Sequence, residues 1–250
     1  MSNIALVIPA RLGSTRLQRK ALADIHGAPM VVRVAECAAR AKGIGEIIVA
    51  TDSEEIARVV RAAGFTAAMT DENLKSGTDR VAAVAATLKY PIIVNLQGDE
   101  PVMPAATIEA AIAPIVERGV LMASAFTKFA NRAEYMEPSC VKVLTDHEQN
   151  AIYFSRHTIP YTQNPISDEE LLNSKYLGKH LGLYAYQRDF LLRYAKMDPV
   201  LSERAESLEQ LRALHNGIKI GMGFAAKGSQ SVDTASDLDK ARDIFYKEFR

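Results

Sequence analysis

Cysteine is scarce in this sequence, which leaves little basis for disulfide bonds or cysteine-metal sites. Of the 250 residues two are cysteines, Cys37 in a predicted helix and Cys140 near a predicted strand, and their spacing matches no metal site. Such sparse use is typical of a reducing compartment. No apolar run reaches membrane-spanning length, and the first residues lack the basic segment of a secretory signal. We therefore expect a cytoplasmic protein that does not associate with membranes.

The sequence also lacks an excess of charge of either sign. Lys and Arg total 30, and Asp and Glu total 30. Affinity for a nucleic-acid backbone favours a strong basic excess, so we expect no nucleic-acid partner. The hydrophobic fraction of 48% is that of an ordinary soluble protein, and the length suffices for one large domain or a large domain with a smaller lobe.

Three motifs of well-known enzyme classes are missing as well. No G-x-G-x-x-G follows a predicted strand, which argues against a hydride-transferring dinucleotide fold. The P-loop pattern G-x-x-x-x-G-K-[ST] and the G-x-S-x-G nucleophile elbow are also absent. The sequence therefore excludes P-loop kinases and elbow-type hydrolases.

The chain instead shows alternating apolar strands and amphipathic helices with short connections. This alternation predicts an α/β fold with a mostly parallel, helix-flanked sheet. We expect the first strand to break at Pro9, and Pro114 to kink or break its helix. The predicted strands lie at 5–9, 46–51, 65–69 and 120–126, with a further central strand in the apolar run of 90–96. The predicted helices lie at 30–42, 53–63, 76–88 and 104–118.

The character of the sequence changes after residue 130. Two apolar stretches at 141–144 and 151–154, separated by a polar turn, predict an antiparallel hairpin, and an irregular loop follows to 176. We interpret 131–177 as an inserted lobe, with 1–130 and 178–250 forming the main α/β domain. Beyond the lobe we expect strands at 179–186 and 218–224, helices at 187–196 and 202–216, and a last helix capped by Thr234 or Ser236.

A basic loop follows the first strand and is the clearest candidate for an anion site. It carries Arg11, Arg16, Arg19 and Lys20. In open α/β sheets the carboxyl ends of the strands are where ligands bind. The loop is therefore either a site for a small polyanion or a solvated basic surface.

Two further segments complement the basic loop. The amides of Ser76, Gly77 and Thr78 open a predicted helix and attract anions, although they also suit a simple helix cap. Gln97, Gly98 and Asp99 follow a buried strand, where a carboxylate can hold Mg²⁺ with substrate phosphates, although the segment also suits a surface turn. A basic loop, acidic strand ends and helix-start amides, without a nucleophile, favour phosphoryl or nucleotidyl transfer.

Motifs along nearly the whole chain resemble those of the CMP-Kdo synthetase family. They are IPARLGSTR at 8–16, VATD at 49–52, SGTDR at 76–80, NLQGDEP at 95–101, VKV at 141–143, IYFSR at 152–156, HLGLYAY at 180–186, LEQLR at 208–212 and VDT at 232–234. Other sugar nucleotidyltransferases share the first motif, whereas the later set is specific to this family. The resemblance implies a Rossmann-like nucleotidyltransferase fold, with CTP and the sugar acid Kdo as substrates and CMP-Kdo and pyrophosphate as products.

The resemblance also implies that the domain formed by 1–130 and 178–250 binds the nucleotide, and that the 131–177 lobe binds the sugar acid and forms the interface of a homodimer. It further implies a place in lipopolysaccharide synthesis and roles for individual residues. The residues expected to act in catalysis are Arg11, Lys20 and Asp99, and those expected to ligate Mg²⁺ are Asp99 and Asp233. The residues expected to bind the nucleotide are Pro9, Ala10, Arg11, Ser76, Gly77, Thr78, Gln97 and Gly98. The residues expected to bind the sugar acid are Arg80, Gln97, Arg156, His180, Glu206 and Gln210.

The chain departs from the family pattern at two places. Gln18 and Arg19 replace the usual Pro-Gly of the basic loop, and Ser202 replaces the usual leucine before Glu203. The second change leaves open a preference for an amino-substituted Kdo. A CMP-sialic acid synthetase and a nucleotide sensor without catalytic activity would also fit the nucleotide-binding half of the pattern.

Overall fold

The computed structural model describes residues 3–13 and 17–248 and divides the chain into two compact units. The first unit holds the chain up to Glu109 and again from Ser229 onward, and the second spans Ala110–Gly228. These bounds differ from those of the 131–177 lobe expected from the sequence. The assignment of that lobe to sugar binding and dimerisation stays a prediction.

The first unit alternates strands and helices, as predicted from its sequence. The elements in chain order are β1 (Ile4–Ala10), a 3-10 turn (Lys20–Leu22), β2 (Asp24–Ile25), β3 (Ala28–Pro29), α1 (Met30–Ala38), β4 (Ile44–Thr51), α2 (Glu54–Ala62), β5 (Thr66–Met69), α3 (Gly77–Ala85), β6 (Ile92–Leu96) and α4 (Ala105–Arg118), which contains the boundary between the units. The predicted helix at 30–42 was too long, and α4 runs unbroken through Pro114.

The strands of this unit form a parallel sheet in the order β6, β1, β4, β5. The chain moves outward from β1 through β4 to β5 and then returns to the other side of β1 to form β6. The direction of the connections therefore reverses between β1 and β6. In open α/β sheets, ligands bind at such a reversal, outside the carboxyl ends of the strands.

The predicted break of the first strand at Pro9 is wrong. β1 continues through Pro9 to Ala10, which pairs with Thr51 of β4. On its other side, β1 pairs with β6 only as far as Val7, opposite Asn95. Because that ladder ends before Pro9, the missing N–H of the proline costs no hydrogen bond between strands.

Helix caps explain where α2 and α3 begin. The Ser53 hydroxyl accepts a hydrogen bond from the Ile56 amide, so Ser53 caps α2. Ser76 caps α3 in a capping box, in which its hydroxyl accepts from the Asp79 amide and the Asp79 carboxylate accepts from the Ser76 amide. The start of α3 is thereby fixed at the edge of the sheet where β1 ends.

The second unit is built on a mixed sheet. Its elements are β7 (Met122–Thr127), α5 (Arg132–Met136), β8 (Lys142–Thr145), β9 (Ala151–Ser155), α6 (Asp168–Leu172), β10 (Leu177–Gln187), α7 (Arg188–Tyr194), α8 (Leu201–Glu206), α9 (Leu211–His215) and β11 (Ile220–Phe224). β10 pairs antiparallel with β7 and β8, and β11 pairs parallel with β7. The predicted hairpin is confirmed, because β8 and β9 pair antiparallel.

Three features of this unit differ from the sequence-based expectation. α5 and α6 are short helices of five residues each in stretches expected to be irregular. The single helix expected at 202–216 is wrong, because Ser207 adopts a left-handed φ of 52° and separates α8 from α9. Glu206 and Gln210 therefore do not share one helix face, although their spacing in the sequence is helical.

The chain then returns to the first unit and ends with α10 (Ala235–Glu248). Thr234 caps this helix, since its hydroxyl accepts from the Asp237 amide. Leu238, Ala241 and Phe245 of α10 share a buried apolar cluster with Ile25 and Met30. This packing fixes the segment just before α10, which carries Asp233. Within the described residues, no helix is both long and apolar enough to span a membrane.

Candidate active site

A cavity of about 350 Å³ lies at the carboxyl edge of the parallel sheet, where the strand order reverses between β1 and β6. It brings together segments that are far apart in sequence: the end of β1, the start of α3, the turn after β6 and the segment before α10. Its lining comprises Pro9, Ala10, Arg11, Gly13, Lys20, Ala21, Met30, Leu74, Lys75, Ser76, Gly77, Arg80, Gln97, Gly98, Asp99 and Asp233. Ser14, Thr15 and Arg16 of the basic loop lie outside the described residues.

Two carboxylates share one ammonium group in this cavity. Lys20 Nζ donates to Asp99 Oδ2 at 2.7 Å and to Asp233 Oδ1 at 3.0 Å. Burial by itself would lower the pKa of Lys20, but the charge and hydrogen bonds of Asp99 and Asp233 outweigh it, so the pKa is raised. Lys20 is therefore held as a cation between two anions.

Backbone contacts place these three side chains. The Val232 amide donates to the Asp99 carbonyl at 2.9 Å, which ties the segment bearing Asp233 to the turn after β6. Arg19 adopts a left-handed φ of 55° and ends the basic loop, and Lys20 begins the 3-10 turn that follows. The geometry of the charged site thus depends on main-chain anchors as well as on ion pairs.

The residue after Gln97 is glycine because the backbone of Pro9 lies very close to it. A Cβ atom at Gly98 would lie 2.7 Å from the Pro9 carbonyl oxygen, closer than a carbon and an oxygen can approach. At Gly77 a Cβ atom would lie 3.3 Å from the Pro9 ring, a tight contact. Glycine at these two positions lets the end of β1, the turn after β6 and the start of α3 converge on one cavity.

The start of α3 contributes to the cavity as expected from the sequence. Ser76 and Gly77 line it, whereas Thr78 is buried and is not among the described residues that do. Gln97 also lines the cavity, and its Nε2 donates to Asn95 Oδ1 at 3.0 Å. These backbone amides and the Gln97 amide are suited to neutral hydrogen bonds with a ligand.

Arg80 is an almost fully buried cation on the wall of the cavity, with 4% of its surface exposed. Its Nη2 donates to Asp52 Oδ2 at 2.7 Å, and its Nη1 donates to the Thr70 hydroxyl. Asp52 follows β4 and Thr70 follows β5, so the ends of two strands fix the guanidinium. Burying a charge is costly without such partners, which indicates a built position rather than a solvated side chain.

The other residues expected to bind the sugar acid lie in the second unit, and the structure brings them together in two linked groups. In the first group, the Glu206 carboxylate accepts from the Ser155 hydroxyl at 2.7 Å and from the Arg156 amide at 2.8 Å. Arg156 Nε donates in return to the Glu206 carbonyl at 2.7 Å. The break between α8 and α9 therefore allows Glu206 to anchor the end of β9.

The second group surrounds His180 on β10. Its ring lies 4.9 Å from the Phe154 ring and 5.4 Å from the Tyr184 ring, between centroids. The Tyr184 hydroxyl donates to Gln210 Oε1 at 2.9 Å. Gln210 Nε2 is buried and has no hydrogen-bond partner among residues 3–13 and 17–248. Because a buried donor without a partner is costly, this amide is suited to a ligand.

Three residues near these groups were not expected from the sequence. Lys75 lines the cavity, Asp52 holds Arg80, and Ser124 contacts the ring of His180. Lys75 stands directly before the helix start at Ser76, and Asp52 directly follows a strand, so both could have been found from their positions. Ser124 lies inside an apolar strand and gives no such signal.

The carboxylates of the cavity fit a divalent cation together with a phosphorylated ligand. No group of three or more His, Cys, Asp or Glu that could hold a metal occurs within the described part of the chain. Asp99 and Asp233, however, already converge on one positive group, the Lys20 ammonium. Mg²⁺ commonly takes one or two protein carboxylates and completes its coordination with waters and phosphate oxygens.

Comparison with known proteins identifies the family. Residues 5–220 match the family model described as Cytidylyltransferase. The 3-deoxy-manno-octulosonate cytidylyltransferase of Geobacter sulfurreducens is 46% identical over 95% of this chain and 97% of its own length. The protein of the same name from Neisseria meningitidis serogroup A is 45% identical over 98% and 99% of the two chains.

Solved structures agree with these sequence matches. A structure of CMP:2-keto-3-deoxy-manno-octonic acid synthetase in complex with CTP superposes with a TM-score of 0.89 and 39% identity, covering 98% of this chain and 99% of the other. A cytidylyltransferase from Leptospira borgpetersenii has a TM-score of 0.64 with 14% identity over 100% and 89% of the two chains, which shows a common fold. The predicted fold class is thereby confirmed. This chain belongs to the CMP-Kdo synthetase family, the 3-deoxy-manno-octulosonate cytidylyltransferases.

Proposed function

We propose that this protein transfers the cytidylyl group of CTP to 3-deoxy-D-manno-octulosonate, giving CMP-Kdo and pyrophosphate for lipopolysaccharide synthesis. The observation that carries the proposal is the convergence of Lys20, Asp99 and Asp233 at a cavity lined by helix-start amides. Such a site neutralises the charge of a triphosphate, and relatives of nearly equal length bear the name of this activity.

The reaction is a displacement at the α-phosphorus of CTP. The anomeric hydroxyl of the sugar acid forms a bond to this phosphorus and loses its proton, while the bond to the β-phosphate oxygen breaks and pyrophosphate leaves. Catalysis of this kind depends mostly on positioning and charge neutralisation. Arg11 and Lys20, which line the cavity, would bind the triphosphate and stabilise the negative charge that accumulates on it.

Asp99 and Asp233 would hold Mg²⁺, because their carboxylates face a common cation position. When bound, Mg²⁺ supplies positive charge that neutralises phosphate oxygens. Lys20 now occupies the space between the carboxylates and would turn its ammonium toward the phosphates. Asp99 and Asp233 would therefore hold a cation both without Mg²⁺, as the Lys20 ammonium, and with it.

The neutral groups of the cavity suit the nucleoside. Pro9 and Ala10 would pack against CTP, and Ser76, Gly77, Thr78, Gln97 and Gly98 would supply the remaining contacts. Gly98 matters for access, since its missing side chain opens the edge of the sheet beside Pro9. The sugar acid would contact Arg80, Gln97, Arg156, His180, Glu206 and Gln210. Two observations support the contacts in the second unit: Gln210 Nε2 is buried without a partner among the described residues, and Arg156 is held by Glu206.

Pyrophosphate release tests the proposal directly. Purified protein would receive CTP and Mg²⁺ with Kdo, an amino-substituted Kdo or sialic acid in parallel reactions. We expect release with Kdo and much less with sialic acid. Release with sialic acid alone would overturn the substrate assignment. CTP binding without release for any sugar acid would instead indicate a nucleotide sensor.

We also propose a cytoplasmic homodimer. β9 pairs with β8 on one side, and it exposes two consecutive apolar residues, Ile152 at 55% and Tyr153 at 37%. An exposed apolar edge strand is a pairing hazard unless another chain covers it. Sedimentation equilibrium should give a dimer, and Ile152→Lys should shift it toward monomer. An unchanged mass for this variant would remove β9 from the interface. The two free cysteines support a reducing compartment.

A further inference from the structure

Ser124, on β7, makes a set of contacts that restricts the position of its hydroxyl proton. Its side chain is fully buried. The Oγ atom lies 2.7 Å from the Leu183 carbonyl oxygen, 3.3 Å from the Leu181 carbonyl oxygen and 2.9 Å from His180 Nε2. A hydroxyl has one proton to donate, and carbonyl oxygens can only accept. The short distance to the Leu183 oxygen therefore requires that the proton point at a carbonyl.

This restriction determines which nitrogen of His180 carries a proton. Since the Ser124 proton is used by a carbonyl, the hydrogen bond between Ser124 and His180 must take its proton from Nε2. In the reverse arrangement, Ser124 Oγ and the Leu183 oxygen would face each other at 2.7 Å with no proton between them. A neutral imidazole has one N–H, so Nδ1 is then left as an acceptor.

The surroundings of His180 favour the neutral ring. Its neighbours are the rings of Phe154 and Tyr184, and no ion pair is made to it within the described residues. Burial lowers the pKa of His180 from 6.5 to about 3, so the ring does not carry a second proton near neutral pH. Nδ1 makes no hydrogen bond within the described residues, and His180 keeps 8% of its surface exposed.

We infer that Ser124 is a positioning residue that fixes His180 in its Nε2–H form, so that Nδ1 accepts a hydrogen bond from a hydroxyl of the sugar acid. The inference rests on the proposed function, which places the sugar acid against His180. It excludes an interaction in which His180 donates from Nδ1 to the sugar carboxylate. The neighbouring Gln210 amide is a buried donor without a partner among the described residues. An acceptor and a donor in one cluster match hydroxyl groups, which both donate and accept.

Nuclear magnetic resonance of the unliganded protein tests the tautomer without reference to the reaction. The chain has five histidines, so the signal of His180 is assigned by its loss in His180→Gln. Long-range proton-nitrogen correlation in protein with ¹⁵N-labelled histidine should show a neutral ring protonated at Nε2 at about pH 7 and about pH 5.5, both well above the pKa of about 3. A proton on Nδ1, or titration of the ring near its ordinary pKa, would overturn the inference.

Kinetics then test whether Ser124 acts through His180. Ser124→Ala should raise the KM for the sugar acid by about tenfold, roughly the loss of one hydrogen bond, with an unchanged KM for CTP. Ser124→Thr keeps the hydroxyl and should restore much of the affinity. In a His180→Gln background, Ser124→Ala should cause no further rise. If the two changes instead raise the KM for the sugar acid additively, Ser124 does not act through His180 and its role is only structural.

The two experiments separate the possible failures. If no sugar acid supports pyrophosphate release by the unaltered protein, the proposed function fails while the tautomer result still stands. If release occurs and the Nε2–H form is found, but Ser124→Ala leaves the KM for the sugar acid unchanged, the role of Ser124 is contradicted. Thermal melting of each variant confirms that the kinetics report on folded protein.

Discussion

Lys20 donates to Asp99 across 2.7 Å, and it reaches Asp233, 213 positions further along the chain, at 3.0 Å. The ammonium group lies between the two carboxylates, at the position proposed above for Mg²⁺. Lys20 therefore compensates part of the negative charge of the two carboxylates in the absence of nucleotide. Because Lys20, Asp99 and Asp233 are in direct contact, a change at one of them should alter the binding properties of the other two.

Asp99→Asn and Asp233→Asn should each lower kcat by about two orders of magnitude or more, because under the proposed function each change removes a charge that acts mainly in the transition state. Steady-state pyrophosphate release at saturating CTP measures the effect. Asp239→Asn is the matched control, since this exposed carboxylate on α10 pairs with Arg242 and not with the cavity. A near-normal kcat for either cavity variant would exclude that residue from the proposed Mg²⁺ site.

Lys20→Met should raise the KM for CTP and lower kcat, because it removes a cation from the proposed triphosphate site. It should also tighten the binding of Mn²⁺ to the protein without nucleotide, because the two carboxylates lose their internal cation. Electron paramagnetic resonance of free Mn²⁺ measures the second effect independently of activity. Lys240→Met, at an exposed position of α10, is the control. Unchanged CTP kinetics would show that Lys20 is only a structural cation.

Much of the first unit could be predicted from the sequence, because local signals and tertiary structure agree there. Apolar runs bounded by caps and glycines predicted the strands and helices. Lys20 in the loop after β1 and Asp99 in the turn after β6 pointed to one edge of the sheet. One exception was Pro9, where pairing on one side ends just before the proline. Such a detail depends on the register of β6 and cannot be read from β1 alone.

The second unit was harder to predict because long-range contacts override its local pattern. Residues 202–216 show helical spacing, yet the helix is interrupted at Ser207. In the resulting arrangement Glu206 accepts from Ser155 and Arg156, and Gln210 accepts from Tyr184. Ser124 is a second example of a long-range contact that the local sequence does not predict. A serine within an apolar strand gives no sign that a histidine 56 positions later will contact it.

The stability of the protein should depend on pH through His180. Its pKa is about 3 in the folded protein and 6.5 as the ordinary value, so below pH 6.5 the unfolded chain binds a proton that the folded chain does not. The free energy of unfolding therefore falls as the pH falls, by about 1.4 kcal/mol per unit between the two pKa values from this residue. Above the ordinary pKa of histidine the effect vanishes.

Comparison with His180→Gln isolates this contribution from that of the carboxylates. Urea denaturation at about pH 7.5 and about pH 5 gives the free energy of unfolding of both proteins. We expect the wild type to lose about 2 kcal/mol more than the variant over this interval. An equal loss in the two proteins would show that His180 is protonated in the folded state.

Arg19 should strain the basic loop. It is a left-handed residue, with φ of 55°, at the position where the family pattern has glycine. Its guanidinium contacts Glu55, but both side chains are largely exposed, and such surface pairs contribute little. Since side chains disfavour this backbone region by about 1 kcal/mol, Arg19→Gly should be more stable than Arg19→Ala by about that amount.

The alanine variant is the matched control, because both variants lose the contact with Glu55 and they differ only in the backbone preference of residue 19. Urea denaturation compares the two proteins, and the KM for CTP shows whether the loop still presents Lys20. If Arg19→Gly is the more stable and keeps its CTP affinity, the arginine is a strained replacement that the site does not need. Equal stability of the two variants would contradict the left-handed conformation of residue 19. A raised KM for CTP in both variants would show instead that the Arg19–Glu55 contact helps to hold Lys20 in place.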